Sequence, residues 1–470
     1  MICAQRMNHI PATSLILVFL LISVSCSSGA GRNESPVKPL LKPGIVHEKV
    51  DGFTGNELSY ALYLPSGCGD GNIKYPVILA LDPSGSGLTP VNKYKDLAEK
   101  YGYILIGSND SHNGQPTTEI GPVITGMLGE IRSVYPSDSN RIYLAGFSGG
   151  SRVAGMAATY YREVKGVIGC GAGFAAGNQP PDSRFDYFGI AGTADFNLNE
   201  MIRLDGILDR LGIRHFITTF PGPHAWPPAS VMEDGFQWIT LNAMKDGTLN
   251  RDDSLISRIM SGFNDRISSA RDQNQLIAAA EACREAVSFS EGLIPADGFK
   301  QTLQSVEIHP EYKKQIAYRA KILKKESNEQ QSLLDDLFSR DQLWWKKRIE
   351  QMSSKHMKGL NPEDTLMNAR LSAFLSLMCY SNASQAINQR NREVAKKLID
   401  VYELADPLNP EPNYMRAVIL LQGYDTTAAF GQLNIAIGKG FSDKSRMVQQ
   451  PEFRMLKNST VWFDLLQKME

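Results

Sequence analysis

The sequence predicts an α/β protein in which a doubly wound, mostly parallel sheet is followed by an all-α region. Between Gly44 and about Lys245, short apolar runs alternate with helical stretches. This alternation is typical of parallel strands whose connecting helices cover both faces of a sheet. After Lys245 no strand candidate recurs, and charged helical periodicity takes over. Because 470 residues exceed what one hydrophobic core usually supports, we expect two domains, at 44–245 and 246–470.

The elements of the first region follow from its apolar runs. Strand candidates are the runs at 58–65, 75–82, 103–109, 141–147, 164–170, 187–193 and 214–221. Several of these runs are apolar throughout, as strands buried on both faces should be. Helix candidates lie between them, at 91–100, 121–134, 149–161 and 199–211.

The second region has apolar residues at helical spacing with charges between them, as in DQNQLIAAAEACREAVSF. Near its end, the stretch 391–441 resembles one helix-turn-helix repeat of the tetratricopeptide type. The matching features are Ala405, an Asp-Pro-Leu-Asn-Pro turn, and Ala428 and Ala436 on the expected packing faces. No second copy follows at the period of about 34 residues. We therefore expect a helical-repeat-like region that contacts a protein partner or contributes to a substrate cleft.

The N-terminus contains the apolar run Leu15 to Val24, followed by Ser-Cys-Ser-Ser-Gly-Ala. The run is too short to cross a bilayer comfortably and has the length of a signal-peptide apolar segment. With Cys26 directly after it, the segment resembles a bacterial lipoprotein signal, which implies a signal peptide at 1–25, a lipidated Cys26 and a flexible tether at 26–43. The expected location is the bacterial cell envelope, periplasmic or anchored to the outer membrane. Cleavage near Ala30 would instead give a soluble secreted protein.

Composition and cysteine spacing exclude several function classes. The chain has 49 basic and 50 acidic residues and a formal charge of -1, so bulk charge does not favour nucleic acid, and membrane contact is expected only through the lipid anchor. No C-x-x-C pair, H-E-x-x-H motif or acidic calcium loop occurs, so neither a metal nor another cofactor is expected. The remaining cysteines allow one disulfide, although buried free thiols are favoured; they are Cys68, Cys170, Cys283 and Cys379.

The chemistry centres on Ser148, which lies in the sequence GFSGG between a strand candidate and a helix candidate. A nucleophilic serine needs a sharp turn that exposes its hydroxyl above the sheet, and glycines such as Gly146 and Gly150 relieve the crowding there. The serine also needs a base that takes its proton and a carboxylate that orients this base. On this architecture both partners should lie just beyond the C-terminal ends of later strands.

Asp195 and His224 meet this requirement, because each follows a later apolar run in the order Ser, Asp, His. Glu200 and Asp205 are alternative carboxylates, but they fall inside the next helix candidate. His215 begins a strand and is a poor candidate for the base. The sequence therefore predicts a triad of Ser148, Asp195 and His224.

A tetrahedral intermediate also needs hydrogen-bond donors for its oxyanion. We expect one from the amide of Gly149 and a second from Asp82 or Ser84, in the loop after an early strand; Pro83 between them has no N–H. Trp226 and Phe147 are candidate walls of the substrate pocket.

These motifs are similar to those of the α/β-hydrolases, closest to secreted esterases of the polyhydroxybutyrate-depolymerase and feruloyl-esterase type. The resemblance covers 44–245 and rests on GFSGG, GTADFN and GPHAW. It implies a serine hydrolase that cleaves a small-molecule or polysaccharide-linked ester through an acyl-enzyme. Ser148 would attack, His224 would act as base and then acid, and Asp195 would orient His224. Asp-Pro-Ser-Gly replaces the usual His-Gly oxyanion sequence, so the second donor stays open.

Two other functions stay open at this point. A serine peptidase would use the same three residues, because ester and amide cleavage differ only in the pocket. A non-catalytic binding or scaffold lipoprotein would use the helical region.

Overall fold

The computed structural model describes residues 41–54, 57–69, 73–175, 185–352 and 361–469. The predicted signal peptide, Cys26 and residues 26–40 of the predicted tether lie outside the described residues. Within the described ranges, no helix is both long enough and apolar enough to span a membrane.

The first region is built on one eight-stranded sheet with the order β1-β2-β4-β3-β5-β6-β7-β8. The two pairs that involve β2 are antiparallel and all others are parallel. The predicted fold class is therefore confirmed, and the sheet is that of an α/β-hydrolase. Its strands are β1 Val46–Asp51, β2 Ser59–Tyr63, β3 Tyr75–Leu81, β4 Ile104–Ser108, β5 Ser137–Phe147, β6 Val164–Cys170, β7 Asp186–Gly192 and β8 His215–Phe220.

Helices cover both faces of this sheet, which is why every residue of β3 and β7 is buried. The helices of this region are α1 Leu88–Tyr101, α2 Thr117–Val134, α3 Gly149–Tyr160, α4 Leu198–Leu211 and α5 Ala229–Lys245. One face packs against α2, α3 and α4, and the other packs against α1 and α5. Strand β1 and helix α5 are additions to the predicted elements. Glu48, Lys49 and Asp51 of β1 are exposed charged residues, so no apolar run marks this edge strand.

The helices after Lys245 continue the core of the sheet before they build one of their own. Helices α6 (Asp253–Asp272) and α7 (Leu276–Ser290) join the core on the α1 and α5 face. The ring of Phe289 in α7 lies 6.0 Å from Phe188 and 5.3 Å from Trp238. A separate core begins at Ile322 and runs to Leu465. Packing is thus continuous across the predicted domain boundary at 245/246. The division into two domains there stays a prediction.

The second region consists of α6 Asp253–Asp272, α7 Leu276–Ser290, α8 Asp297–Glu307, α9 Pro310–Asp336, α10 Gln342–Met352, α11 Pro362–Asn388, α12 Arg392–Ala405, α13 Glu411–Leu421, α14 Thr426–Gly438, α15 Lys444–Gln449, a 3-10 helix Pro451–Leu456 and α16 Thr460–Gln467. Ala405 ends α12, and the predicted turn leads to α13 at Glu411. In α14 Ala436 is buried, but Ala429 rather than Ala428 is the buried residue of the first turn. The tetratricopeptide resemblance stays a prediction.

The four cysteines named above are buried free thiols.

Candidate active site

Ser148 occupies a strained turn between β5 and α3. Its backbone has φ 52 and ψ -117, a region that residues other than glycine rarely adopt and that costs about 1–3 kcal/mol. The Ser148 N–H donates to the carbonyl of Cys170 at 2.8 Å, which ties the turn to the end of β6. The turn lifts the side chain out of the strand, to the carboxyl edge of the sheet.

The glycines on either side of Ser148 are there because the backbone passes too close for a side chain. A Cβ at Gly146 would lie 2.3 Å from the carbonyl oxygen of Gly150, and a Cβ at Gly150 would lie 2.0 Å from that of Leu81. Real Cβ atoms essentially never come so close. The GFSGG pattern is thus a steric requirement of this strand-to-helix turn.

The structure brings Ser148, His224 and Asp195 into one hydrogen-bonded chain. His224 Nε2 lies 2.9 Å from Ser148 Oγ, and Nδ1 lies 2.9 Å from both carboxylate oxygens of Asp195. An ionised carboxylate only accepts, so Nδ1–H donates to Asp195 and Nε2 accepts from the serine hydroxyl. This is the tautomer that a general base needs, because its lone pair faces the hydroxyl proton.

The alternative partners lie elsewhere. Glu200 pairs with Arg152 and accepts from the Gly173 N–H. Asp205 lies 3.2 Å from His215 Nε2. Neither carboxylate has a hydrogen bond to His224 among the described contacts, which leaves Asp195 as the partner of this imidazole.

Asp195 is fully buried, and its neighbours hold it in place. The Asn197 N–H donates to Oδ1 at 2.8 Å, while the Asn197 side chain donates to the Gly171 carbonyl at 2.8 Å. Gly171 itself has φ +69, and a Cβ there would lie 3.1 Å from both Asp195 Oδ2 and His224 Cε1. The carboxylate therefore has a defined orientation toward the imidazole.

Two aromatic rings hold the imidazole from the sides. The ring of Phe147 lies 4.7 Å from that of His224, and the ring of Phe196 lies 4.3 Å from it. Both phenylalanines are half-buried, so Phe147 stands beside the reacting groups, where a pocket wall was predicted. Phe196 was not predicted; its only signal is its place directly after Asp195 in GTADFN.

Trp226, the second predicted pocket wall, is buried and joins two loops of the site. It is 6% exposed, packs between Phe147 and Tyr94 with ring distances of 5.7 and 5.8 Å, and donates its Nε1–H to Asp82 Oδ2 at 2.7 Å. The indole thus ties the His224 loop to the loop after β3, and its role as a pocket wall stays a prediction.

The loop after β3 contains Asp82 and Ser84, whose amides were the expected sources of the second oxyanion donor, and that expectation stays a prediction. The Ser84 N–H already donates to Asp82 Oδ1 at 2.9 Å, so that amide is engaged. Asp82 is buried and uses its other oxygen for Trp226. The Asp82 side chain thus organises this loop, and the Ser84 amide points at its own neighbour.

Asn113 is a residue that the sequence analysis missed. Its side-chain amide lies against Gly149, where a Cβ would come within 1.7 Å of Asn113 Oδ1. The Asn113 N–H donates to the Pro83 carbonyl at 2.8 Å, which joins its loop to the loop after β3. The signal in the sequence is weak: a polar, glycine-containing loop that follows a strand at the carboxyl edge, where ligands of open α/β sheets bind.

Within the part of the chain that the structure describes, no group of metal-binding side chains lies at this site. Among the described residues, the one group close enough to share an ion is Asp205, Asp209 and His215. Because His215 begins β8 whereas Ser148 follows the end of β5, this group lies at the opposite edge of the sheet.

Cys170, whose carbonyl accepts from the Ser148 N–H, is the cysteine next to the site. Burial strongly raises the pKa of its thiol, so this cysteine is not a rival nucleophile.

No family model matches the chain, and no curated protein sequence matches it. Among solved structures, it is similar to S-formylglutathione hydrolase from Staphylococcus aureus, with 14% identity, 42% of this chain and 98% of that one covered, and a TM-score of 0.35. An esterase from Pyrobaculum calidifontis is 13% identical over 43% of this chain and 85% of its own, with a TM-score of 0.34. A Pyrococcus horikoshii acylaminoacyl peptidase is 15% identical over 42% of this chain and 40% of its own, with a TM-score of 0.31. These likenesses are too weak to assign an activity.

Proposed function

We propose that this protein is a serine hydrolase that cleaves a carboxylic ester through an acyl-enzyme. The observation that carries the proposal is the continuous hydrogen-bonded chain from Ser148 through His224 to Asp195. Its members come from the ends of β5, β8 and β7, and the serine sits at a strained turn that a merely structural serine would not require.

The geometry supports the following reaction. His224 Nε2 takes the hydroxyl proton as Ser148 Oγ forms a bond to the substrate carbonyl carbon, whose π electrons move to oxygen. The tetrahedral intermediate collapses, the ester C–O bond breaks, and His224 gives its proton to the leaving alcohol. Water then enters, loses a proton to His224 and attacks the acyl carbon, and His224 returns the proton to Ser148 as the acid leaves. Asp195 keeps the imidazole in the productive tautomer throughout.

The oxyanion needs two donors, and the amide of Gly149 at the start of α3 is the first. The Ser84 amide is a poor second donor because Asp82 already accepts from it. We assign the second role to the Asn113 side chain, which lies beside Gly149. The carboxamide has both an oxygen and an NH2 group, and a rotation by half a turn exchanges them.

Substrate and location are further parts of the proposal. The substrate class is a small-molecule or polysaccharide-linked ester, as the sequence resemblance implies. Export, with a lipid anchor at Cys26, rests on the apolar N-terminal run. A protein partner for the helical region stays a prediction.

The test is hydrolysis of p-nitrophenyl acetate, butyrate and octanoate by the mature protein. We expect turnover in the wild type and its loss to near background in Ser148→Ala and His224→Ala. His215→Gln changes the other histidine of the β8 segment, outside the site, and should keep wild-type turnover.

The outcomes separate the alternatives. Cleavage of a matching p-nitroanilide as fast as the ester would assign a peptidase instead. A folded wild type that cleaves neither class would refute the enzymatic proposal and favour a binding or scaffold role.

A further inference from the structure

The helical region reaches the candidate active site through a buried ion pair. Glu326 lies in the middle of α9 and Arg370 in the first third of α11, and their exposed fractions are 0% and 1%. Arg370 Nε lies 2.9 Å from each oxygen of Glu326, and Nη2 lies 2.6 Å from Oε2. Both carboxylate oxygens are thus satisfied, and the guanidinium keeps one nitrogen for another partner.

That partner is the carbonyl oxygen of Thr193, which accepts from Arg370 Nη1 at 2.6 Å. Thr193 directly follows β7 and stands two residues before Asp195. On the other side, the Thr193 N–H donates to Phe220 at 2.8 Å and the Ala194 N–H donates to Gly222 at 2.9 Å. The Asp195 loop is therefore held between the His224 loop and a side chain of α11.

A second contact comes from the same face of α9. Gln330, four residues after Glu326, directs Nε2 toward the Phe196 carbonyl at 3.5 Å. Phe196 is the residue whose ring lies against His224. The two contacts of the helical region thus bracket Asp195 in the chain.

A buried ion pair in this interface costs desolvation free energy. Replacing a buried pair by apolar residues is often neutral or stabilising, so the pair is weak evidence for a role in stability. An apolar pair, however, offers no donor for the half-buried Thr193 carbonyl, and a carbonyl that is withdrawn from water without a partner is unfavourable. The ion pair thus provides an N–H donor to the Asp195 loop. An apolar contact would provide none.

From these contacts we infer that Arg370, oriented by Glu326, is a positioning residue for Asp195, and that the helical region is a working part of the active site. The inference rests on the proposed function. Arg370 touches no reacting atom; it fixes the backbone that carries the carboxylate, and the carboxylate fixes the imidazole.

The test compares folded variants in ester hydrolysis. Glu326→Met/Arg370→Met removes both charges together, so that no unpaired charge is left buried. We expect kcat to fall by about 10- to 100-fold, because small misplacements of catalytic groups cost this much. KM should stay nearly unchanged. Arg370→Lys keeps a cation and a donor near Thr193 and should recover part of kcat.

A matched control removes another ion pair of the helical region, between Asp400 and Arg416 at 2.6 Å. Asp400→Met/Arg416→Met should lose no more than twofold in kcat. A spectroscopic readout is the downfield proton resonance of His224 Nδ1–H, which should broaden or disappear in the Glu326/Arg370 double variant and persist in the control.

Each outcome decides something. A folded double variant with wild-type kcat and an unchanged Nδ1–H resonance would overturn the inference while leaving the hydrolase proposal intact. A wild type without turnover would overturn both. Should the methionine pair fail to fold, Glu326→Gln/Arg370→Gln keeps polar groups in the interface but shortens the side chain that reaches Thr193, and the same loss of kcat is expected.

Discussion

The two regions of the chain contribute to one site in different ways. The sheet region supplies the proposed reacting groups from loops, and its sequence marks them by glycines and by the ends of apolar runs. The helical region supplies Glu326 and Arg370 from the interior of long helices, where nothing in the local sequence distinguishes them from surface charges. The proposed reacting groups can thus be found from their local sequence. The residues that position them can be recognised only from the packing of helices that are distant in sequence.

A second cluster of charges joins α5 of the sheet region to α6 and α7 of the helical region, and it contrasts with the first because its arginine is exposed. Arg266 donates to Glu285 at 2.6 Å and to Asp234 at 3.2 Å, beside a cavity of about 150 Å³ that Arg266 and Asp234 help to line. One oxygen of Glu285 has no hydrogen-bond partner. Burial raises the pKa of Glu285 and of Asp234. In the first cluster both carboxylate oxygens accept hydrogen bonds and the arginine holds a loop, whereas in the second the buried Glu285 keeps one oxygen without a partner.

The largest effect is expected in the sheet region, at Asp195. Asp195→Asn keeps the shape of the side chain but can hold His224 in the wrong tautomer, so kcat should fall by about 10³- to 10⁴-fold. Steady-state hydrolysis of p-nitrophenyl acetate measures this loss. Asp205→Asn, in an exposed part of α4, is the control and should stay near wild type. A loss of less than tenfold at Asp195 would place the orienting carboxylate elsewhere.

A smaller loss is expected at Asn113, also in the sheet region. Asn113→Ala removes the proposed second oxyanion donor, so kcat should fall by about 10²-fold with little change in KM. Ser84→Ala keeps the backbone N–H, which already donates a hydrogen bond to Asp82. Its effect on kcat should therefore be much smaller. If the Ser84 loop supplies the donor instead, Asn113→Ala will keep wild-type kcat.

The smallest effect is on stability, at Glu285 of the helical region. Because its folded-state pKa is raised above the unfolded value, the folded protein retains a proton that the unfolded chain releases. Stability should therefore fall as pH rises from about the ordinary Glu pKa of 4.3 toward the raised value. Glu285→Gln should remove about 1 kcal/mol of this decline between about pH 5 and pH 8. Urea unfolding at several pH values measures it.

Glu281→Gln, a more exposed carboxylate of α7, should leave the pH dependence of unfolding unchanged. If wild type and Glu285→Gln have parallel stability profiles, the carboxyl group of Glu285 is ionised in the folded protein and Arg266 compensates its burial.

Much of the sheet could be predicted because parallel strands buried on both faces are continuous apolar runs. The run 164–170 coincides with β6, and Ser148, Asp195 and His224 follow the strands after which they were expected. Strand β1 lacked this signal because exposed charges interrupt it.

What could not be predicted depends on tertiary contacts. Trp226 was assigned to the pocket by its nearness to His224 in the chain, but the partner of its Nε1–H, Asp82, lies 144 residues away. Arg370 and Thr193 are 177 residues apart, and no spacing rule connects a helix interior with a strand end at that distance. Asn113 escaped notice because its loop lacks an apolar pattern and its role depends on the close approach to Gly149.

The central claim is that Ser148 is an activated nucleophile. The most direct measurement is intact-mass analysis, with peptide mapping, of the mature protein after treatment with a fluorophosphonate. We expect a single adduct on Ser148 in the wild type, none in Ser148→Ala, and slower adduct formation in the Glu326→Met/Arg370→Met variant. A folded wild type that gains no adduct, or a Ser148→Ala variant labelled at the wild-type rate, would contradict it.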